Sequence, residues 1–288
     1  MWFVFAVAAA ACFGVRGILY QWTSQRPVDR NLLFVGVYLS GILVSLLLNI
    51  QAKQPWNHGV GLGVLMGVFS FAANASIYRG YEVGRASVVA FFSALSPLVV
   101  VLVAFWLWNE APNGVQGIGF GIVVLALILV RYGQDFRSGS LRGWNWGLIA
   151  MLLYSFTDLS SKQSVLIGAS MLPVLTMMFA TGTVLFFLMY ISSRISKKNS
   201  RPASPPAWKA RRTLTWGMTV GLTNIAGMIL MLHALQEGVT GIVSAITAMS
   251  VIIVILYARF YLKETWSRRE AFGILLAFAG IVVLRLAS

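Results

Sequence analysis

Two ionisable side chains stand inside long apolar stretches of this sequence, Arg16 and Asp158. A guanidinium can fork paired hydrogen bonds to a carboxylate or another anion. An aspartate in a low-dielectric setting can take up or release a proton with the occupancy of its surroundings. Charges within hydrocarbon are costly and mark pathways, so Arg16 is a candidate contact for an anionic group and Asp158 a candidate proton-coupling carboxylate. Structural readings stand beside these. Arg16 is close enough to the end of its stretch to snorkel outward, and Asp158 has Lys162 at i+4 and Tyr154 one turn back on the same helical face. Direct pairing of Arg16 with Asp158 is disfavoured, because on antiparallel helices at 1.5 Å rise per residue their depths differ by roughly 12 Å.

Neutral polar residues supply the rest of a possible site. Asn74 and Tyr78 share one helical face, and Ser93, Ser96, Ser244 and Thr247 recur at three-residue spacing. Together with Asn224 and Arg16 they are candidates for substrate binding, although hydroxyls bonded to their own helix backbone would give the same pattern. Asn224 and His233 are nine apart and point to opposite sides of a regular helix. With two histidines, one cysteine and no HExxH or GxSxG, the sequence offers no metal site, no cofactor site and no catalytic constellation.

The elements that must carry these residues follow from composition. The chain has 288 residues, 58% hydrophobic and only 10% charged, too little polar surface for a soluble globule of this size. Ten apolar runs are long enough to cross a bilayer: about 2–22, 32–51, 60–81, 86–108, 114–132, 144–163, 171–192, 213–236, 239–262 and 269–287. Two-residue alternation is absent, which excludes a transmembrane barrel, and the tryptophans gather at run ends or in connections, as indole does at the headgroup level. No basic segment precedes the first run, so it reads as a helix rather than a cleaved leader. The expected fold is an all-α integral membrane protein of ten transmembrane helices.

Sliding the chain on itself by 154 places Gly63 on Gly217, Gly67 on Gly221, Ser96 on Ser250, Glu110 on Glu264 and Gly119 on Gly273 without a gap. Runs 3–5 therefore repeat as runs 8–10, and runs 1–2 match 6–7 loosely near an offset of 142. Because a unit of five crossings is odd, its copy is inverted in the membrane, giving repeats at 1–136 and 142–288. Asn113 with Gln116, and Ser267 with Glu270, have capping-box spacing at the starts of runs 5 and 10. Glu110 and Glu264 precede those starts and are expected to cap the corners, with gating or ion coupling as the other reading. Glycines four apart (Gly63 and Gly67, Gly217 and Gly221, Gly117 and Gly121) predict close helix packing, and Pro97 predicts a kink in run 4.

The segments YEVGRASVVAFFSALSPLVVVLVAFWLWNEAPNGVQGIGFGIVVLALILV and LQEGVTGIVSAITAMSVIIVILYARFYLKETWSRREAFGILLAFAGIVVL resemble the two EamA-type units of the drug/metabolite transporter superfamily. The resemblance rests on the small-residue centre of the fourth helix, the helix-terminal glutamate and the glycine-bearing fifth helix. Val251 in place of a second proline departs from it. It implies secondary transport of a small metabolite, without naming one.

The net charge of +14 is distributed unevenly. Eighteen basic residues fall on connections 1–2, 3–4, 5–6, 7–8 and 9–10, against Lys53, Lys162 and Arg285 on the other side. The positive-inside rule puts both termini outside, whereas the family resemblance implies termini inside. The connection RISKKNSRPASPPAWKARR is expected to meet anionic lipid, and no nucleic-acid partner is implied. The expected function is gradient- or exchange-driven transport by alternating access in a bacterial cytoplasmic membrane. The alternative is a non-transporting, lipid-flipping or regulatory subunit.

Overall fold

The computed structural model describes residues 1–83, 86–131, 142–198, 208–261 and 268–286. Among these the chain is helical throughout: α1 (Trp2–Ser24), α2 (Arg30–Ala52), a short 3₁₀ turn (His58–Val60), α3 (Gly61–Val83), α4 (Ala86–Ser93), α5 (Ser96–Trp108), α6 (Gly114–Arg131), α7 (Trp144–Leu166), α8 (Met171–Lys198), α9 (Ala210–Glu237), α10 (Thr240–Ala248), α11 (Ser250–Phe260) and α12 (Arg268–Leu286). Seven stretches are long and apolar enough to cross a membrane, and α6 and α12 supply shorter apolar helices. At 23 residues α7 has the length, but Asp158, Lys162 and its serines lower its apolarity.

Runs 4 and 9 each form two helices rather than one. The breaks fall at Leu95 and Met249, positions that match in the 154 register. Each is a tight turn with i→i−3 hydrogen bonds, Leu95 N to Phe92 O at 3.1 Å and Met249 N to Ile246 O at 3.0 Å. In the first, Pro97 removes the N–H that would bond the Ser93 carbonyl. The second has no proline. There the Thr247 hydroxyl donates to the Ser244 carbonyl at 2.9 Å, a back-bond that bends helices.

Packing pairs exchange in the same register. α3 lies along α7 and α8, as α9 lies along α1 and α2, while α2 packs on α8 and α6 on α12. The matched glycines make the closest approaches to the backbone of another helix. A Cβ on Gly63 would come 2.2 Å from the Val174 carbonyl oxygen, and one on Gly217 would come 2.3 Å from that of Leu33. Gly117 and Gly121 do not behave this way. A Cβ on either meets nothing within 4 Å, and Gly119 instead takes the contact, against Leu284. The face expected to pack thus lies one helical step away from the residues that pack.

At one end of the bundle Trp22, Trp208 and Trp216 cluster, with ring centroids 4.7 Å apart for Trp22–Trp216 and 6.0 Å for Trp22–Trp208. Trp216 Nε1 donates to Thr23 Oγ1 at 2.8 Å, and the guanidinium groups of Arg26 and Arg212 lie over Trp22 and Trp208. The end of α1 is thereby fixed to the start of α9.

Candidate functional site

The ionisable groups within the bundle sort into three places. At the end opposite the tryptophan cluster, Lys162 Nζ pairs with Glu110 Oε1 at 2.9 Å, with only 6% of the lysine side chain and 22% of the glutamate exposed. The same ammonium donates to the Leu235 and Gly238 carbonyls at 3.0 and 3.3 Å, where α9 ends. The other oxygen of Glu110 accepts the Thr240 N–H at 2.8 Å, where α10 begins. Each charge faces the helix end whose partial charge it complements. Burial pushes the Glu110 carboxyl up, but the hydrogen bonds from Thr240 and Lys162 and the lysine charge outweigh it and hold the group below the ordinary carboxylate value.

Two expectations change here. Glu110 directs its carboxylate to α10 in the other half of the chain rather than to the start of α6, where Asn113 and Gln116 exchange their own reciprocal bonds at 2.8 and 3.0 Å. Lys162 pairs not with Asp158 but with three oxygens that converge beyond it, the Glu110 carboxylate and the Leu235 and Gly238 carbonyls. Glu264 and Ser267, the matched cap residues, lie outside the described residues.

Asp158 occupies the second place. Its Oδ2 accepts the Ser244 hydroxyl at 2.6 Å, which ties α7 to α10, and it forms no ion pair among the described residues. Thr247, one turn along, uses its hydroxyl on its own helix. Ser93 and Ser96 flank the break in run 4, and the Ser96 carbonyl accepts the Ser155 hydroxyl at 3.1 Å.

The third place is built around Arg16. Its guanidinium donates to Asn224 Oδ1 on α9 and lies 4.5 Å above the Phe13 ring. Room for that ring comes from Gly227, where a Cβ would stand 2.5 Å from Phe13. Nearby, Tyr154 donates to Asn74 Oδ1 at 3.0 Å, the Asn74 amide donates to the Ser70 carbonyl at 2.7 Å, and the Tyr38 and Ser70 hydroxyls are 2.6 Å apart. Tyr20 adjoins the guanidinium, its ring centroid 6.0 Å from it, and the Asn74 amide reaches the Tyr38 hydroxyl at 3.4 Å. α1, α2, α3, α7 and α9 thus converge on one polar cluster. Tyr78 is separate from it, since its ring lies 4.4 Å beneath Arg30.

Of the residues singled out in the sequence, Arg16, Asn74 and Asn224 come together, and Asp158 meets Ser244. Tyr20, Tyr38 and Ser70 were not singled out. Tyr20 carried a signal, standing at i+4 from Arg16 on one face of α1. Tyr38 and Ser70 lie in apolar stretches with nothing local to distinguish them. An open cleft of about 670 Å³ between α2, α8 and α9 is lined by Gln51, Gln54, His233 and Gln236 among others, and shares no residue with these three places.

A bundle of apolar helices that holds such groups inside itself is an integral membrane protein. The model of the EamA-like transporter family matches residues 1–132 and 141–286. The chain belongs to that family, within the drug/metabolite transporter superfamily. A crystal structure described only as that of a protein is similar over 99% of this chain and 97% of its own, with a TM-score of 0.73 and 14% sequence identity, a likeness of fold. No curated protein matches.

Proposed function

We propose that this protein is a secondary transporter, moving a small metabolite across the bacterial cytoplasmic membrane by alternating access, driven by a gradient or by exchange. It crosses the membrane ten times in two inverted repeats, 1–136 and 142–288. The observation that carries this reading is the pair of matched breaks at Leu95 and Met249, each within a run that crosses the membrane and each flanked by hydroxyl residues. Discontinuous helices at corresponding positions of two repeats are the means by which transporters place polar groups at mid-depth.

In this reading the Glu110–Lys162 pair is an outer gate. Glu110 belongs to the first half, Lys162 and the α9–α10 corner to the second, so rocking of the halves opens or closes that contact. Substrate contacts come from Arg16, Asn74 and Asn224. Tyr78, Ser93, Ser96, Ser244 and Thr247 lie farther along the path, and Asp158 is the proton-coupling group, its Ser244 bond made or broken with its charge. The basic connections face the cytoplasm and anionic lipid, with both termini outside.

Uptake of labelled solutes into proteoliposomes holding this protein alone tests the function. Accumulation that depends on an imposed gradient or on internal exchange solute is expected. Its absence across a broad solute panel, with scrambling of labelled lipid instead, would give the flipping alternative. For orientation, a reporter active only in the cytoplasm should work when inserted near Ser204 and be silent after Ser288.

A further inference from the structure

Among the described residues Arg16 is the cation inside the bundle that no carboxylate neutralises. Lys162 has Glu110, whereas Arg16 makes its only hydrogen bond among the described residues to a neutral amide. A guanidinium carries five N–H donors, so most of them are unused. Asp158, the other carboxylate inside the bundle among the described residues, accepts from Ser244 and forms no ion pair with Arg16. The guanidinium is nevertheless held in place by Asn224 on one side and the Phe13 ring beneath, with Gly227 admitting that ring. Fixed orientation with unused donors is the arrangement of a prepared anion site.

A second observation points the same way. The Tyr20 hydroxyl, one helical turn from Arg16 on the same face, has no hydrogen-bond partner among the described residues, and both side chains remain partly exposed. The neighbouring amides offer little to a cation, because Asn74 Oδ1 is taken by Tyr154 and Asn224 Oδ1 by Arg16. The walls are aromatic: Phe13 beneath Arg16, and Phe34 beside Tyr20 at 5.6 Å.

Resting on the transporter reading for the use of this site, we infer that the Arg16 cluster binds a small planar organic carboxylate that carries no positive charge. Arg16 forks the carboxylate, Tyr20 donates to one of its oxygens, and the ring or unsaturated body lies beside Tyr20 and Phe34. An ammonium on the ligand would meet the guanidinium and find no free carboxylate, which disfavours amino acids and cationic drugs; sugars lack the charge.

Benzoate, benzamide and benzylammonium are suitable probes, being close in shape and differing in charge. Thermal-shift titration of the purified full-length protein in detergent should show stabilisation by benzoate and none by the other two at equal concentration. Arg16→Gln should weaken benzoate binding roughly 100-fold and Tyr20→Phe roughly 15-fold, the range for removing a hydrogen bond to a charged group. No benzoate shift, an equal shift with benzamide or benzylammonium, or full benzoate binding by both variants would overturn the inference. Because Arg16→Gln can perturb folding, Tyr20→Phe is read alongside it, and a monodisperse elution profile is required of each. Benzoate uptake into proteoliposomes is measured separately. Binding without uptake would leave the site standing and remove the transporter reading, whereas uptake untouched by either variant would do the reverse.

Discussion

The Glu110–Lys162 corner and the Arg16 cluster treat charge in opposite ways. At the corner every charge is answered: ammonium by carboxylate and two carbonyls, carboxylate by ammonium and a helix N–H. Around Arg16 one amide oxygen and an aromatic face answer a full positive charge. A buried pair that loses one member leaves an uncompensated ion, while a charge already under-compensated loses little when removed. The first arrangement holds the structure together, and the second leaves capacity for something that arrives.

The sharpest way to break this comparison is Lys162→Met. It strands Glu110 and two carbonyls in a mostly buried corner, and should cost about 3–5 kcal/mol in a denaturant titration. Removing both charges, in Glu110→Gln with Lys162→Met, should recover more than half of that loss, because no ion is left behind. An unimproved double mutant would mean that the carbonyl contacts matter more than the pair.

Next in size is Gly217→Ala, which drives a methyl toward the Leu33 carbonyl and should destabilise by about 1–3 kcal/mol, with Gly117→Ala near neutral as its control. Arg16→Gln should change stability by less than about 1 kcal/mol, yet abolish uptake. A large stability loss there would make Arg16 a structural residue and erase the contrast. Asp158→Asn should keep stability and remove the pH dependence of transport.

The smallest effect concerns pH at the corner. The Glu110 pKa is depressed in the folded state, so the pair contributes fully above the ordinary carboxylate pKa of about 4.5 and is lost only as pH falls through the lower folded value. The stability difference between the wild type and the Glu110→Gln, Lys162→Met double variant should therefore be unchanged between about pH 8 and pH 6.

Composition and run length made the helical membrane class legible, because hydrocarbon imposes them on any chain that crosses it. The glycines at 63, 67, 217 and 221 were legible as packing faces, since small residues four apart have few other uses in lipid. Gly117 and Gly121 carried the same signal but pack nothing, because spacing marks a face and cannot say what lies opposite. The break at Met249 was hidden because no proline marks it, where the matched break advertises itself through Pro97. Lys162 was seen at i+4 from Asp158, a local relation, whereas its partners are Glu110, just beyond α5, and two carbonyls at the end of α9. Self-alignment reveals which segments are alike. It does not reveal which of them touch.

The tryptophan cluster has a mechanical consequence. Trp208 already rests edge-on against Trp22 and Trp216 before α9 begins at Ala210, so a load applied upstream is taken up by three interlocked indoles and their arginines. Asn224, which orients Arg16, lies roughly four turns deeper in α9. The cluster acts as a strain relief, like the clamp where a cable enters an instrument. A protein domain spliced in ahead of Trp208, as a handle for imaging or for immobilisation, would tug on that clamp while the Arg16–Asn224 geometry stays undisturbed.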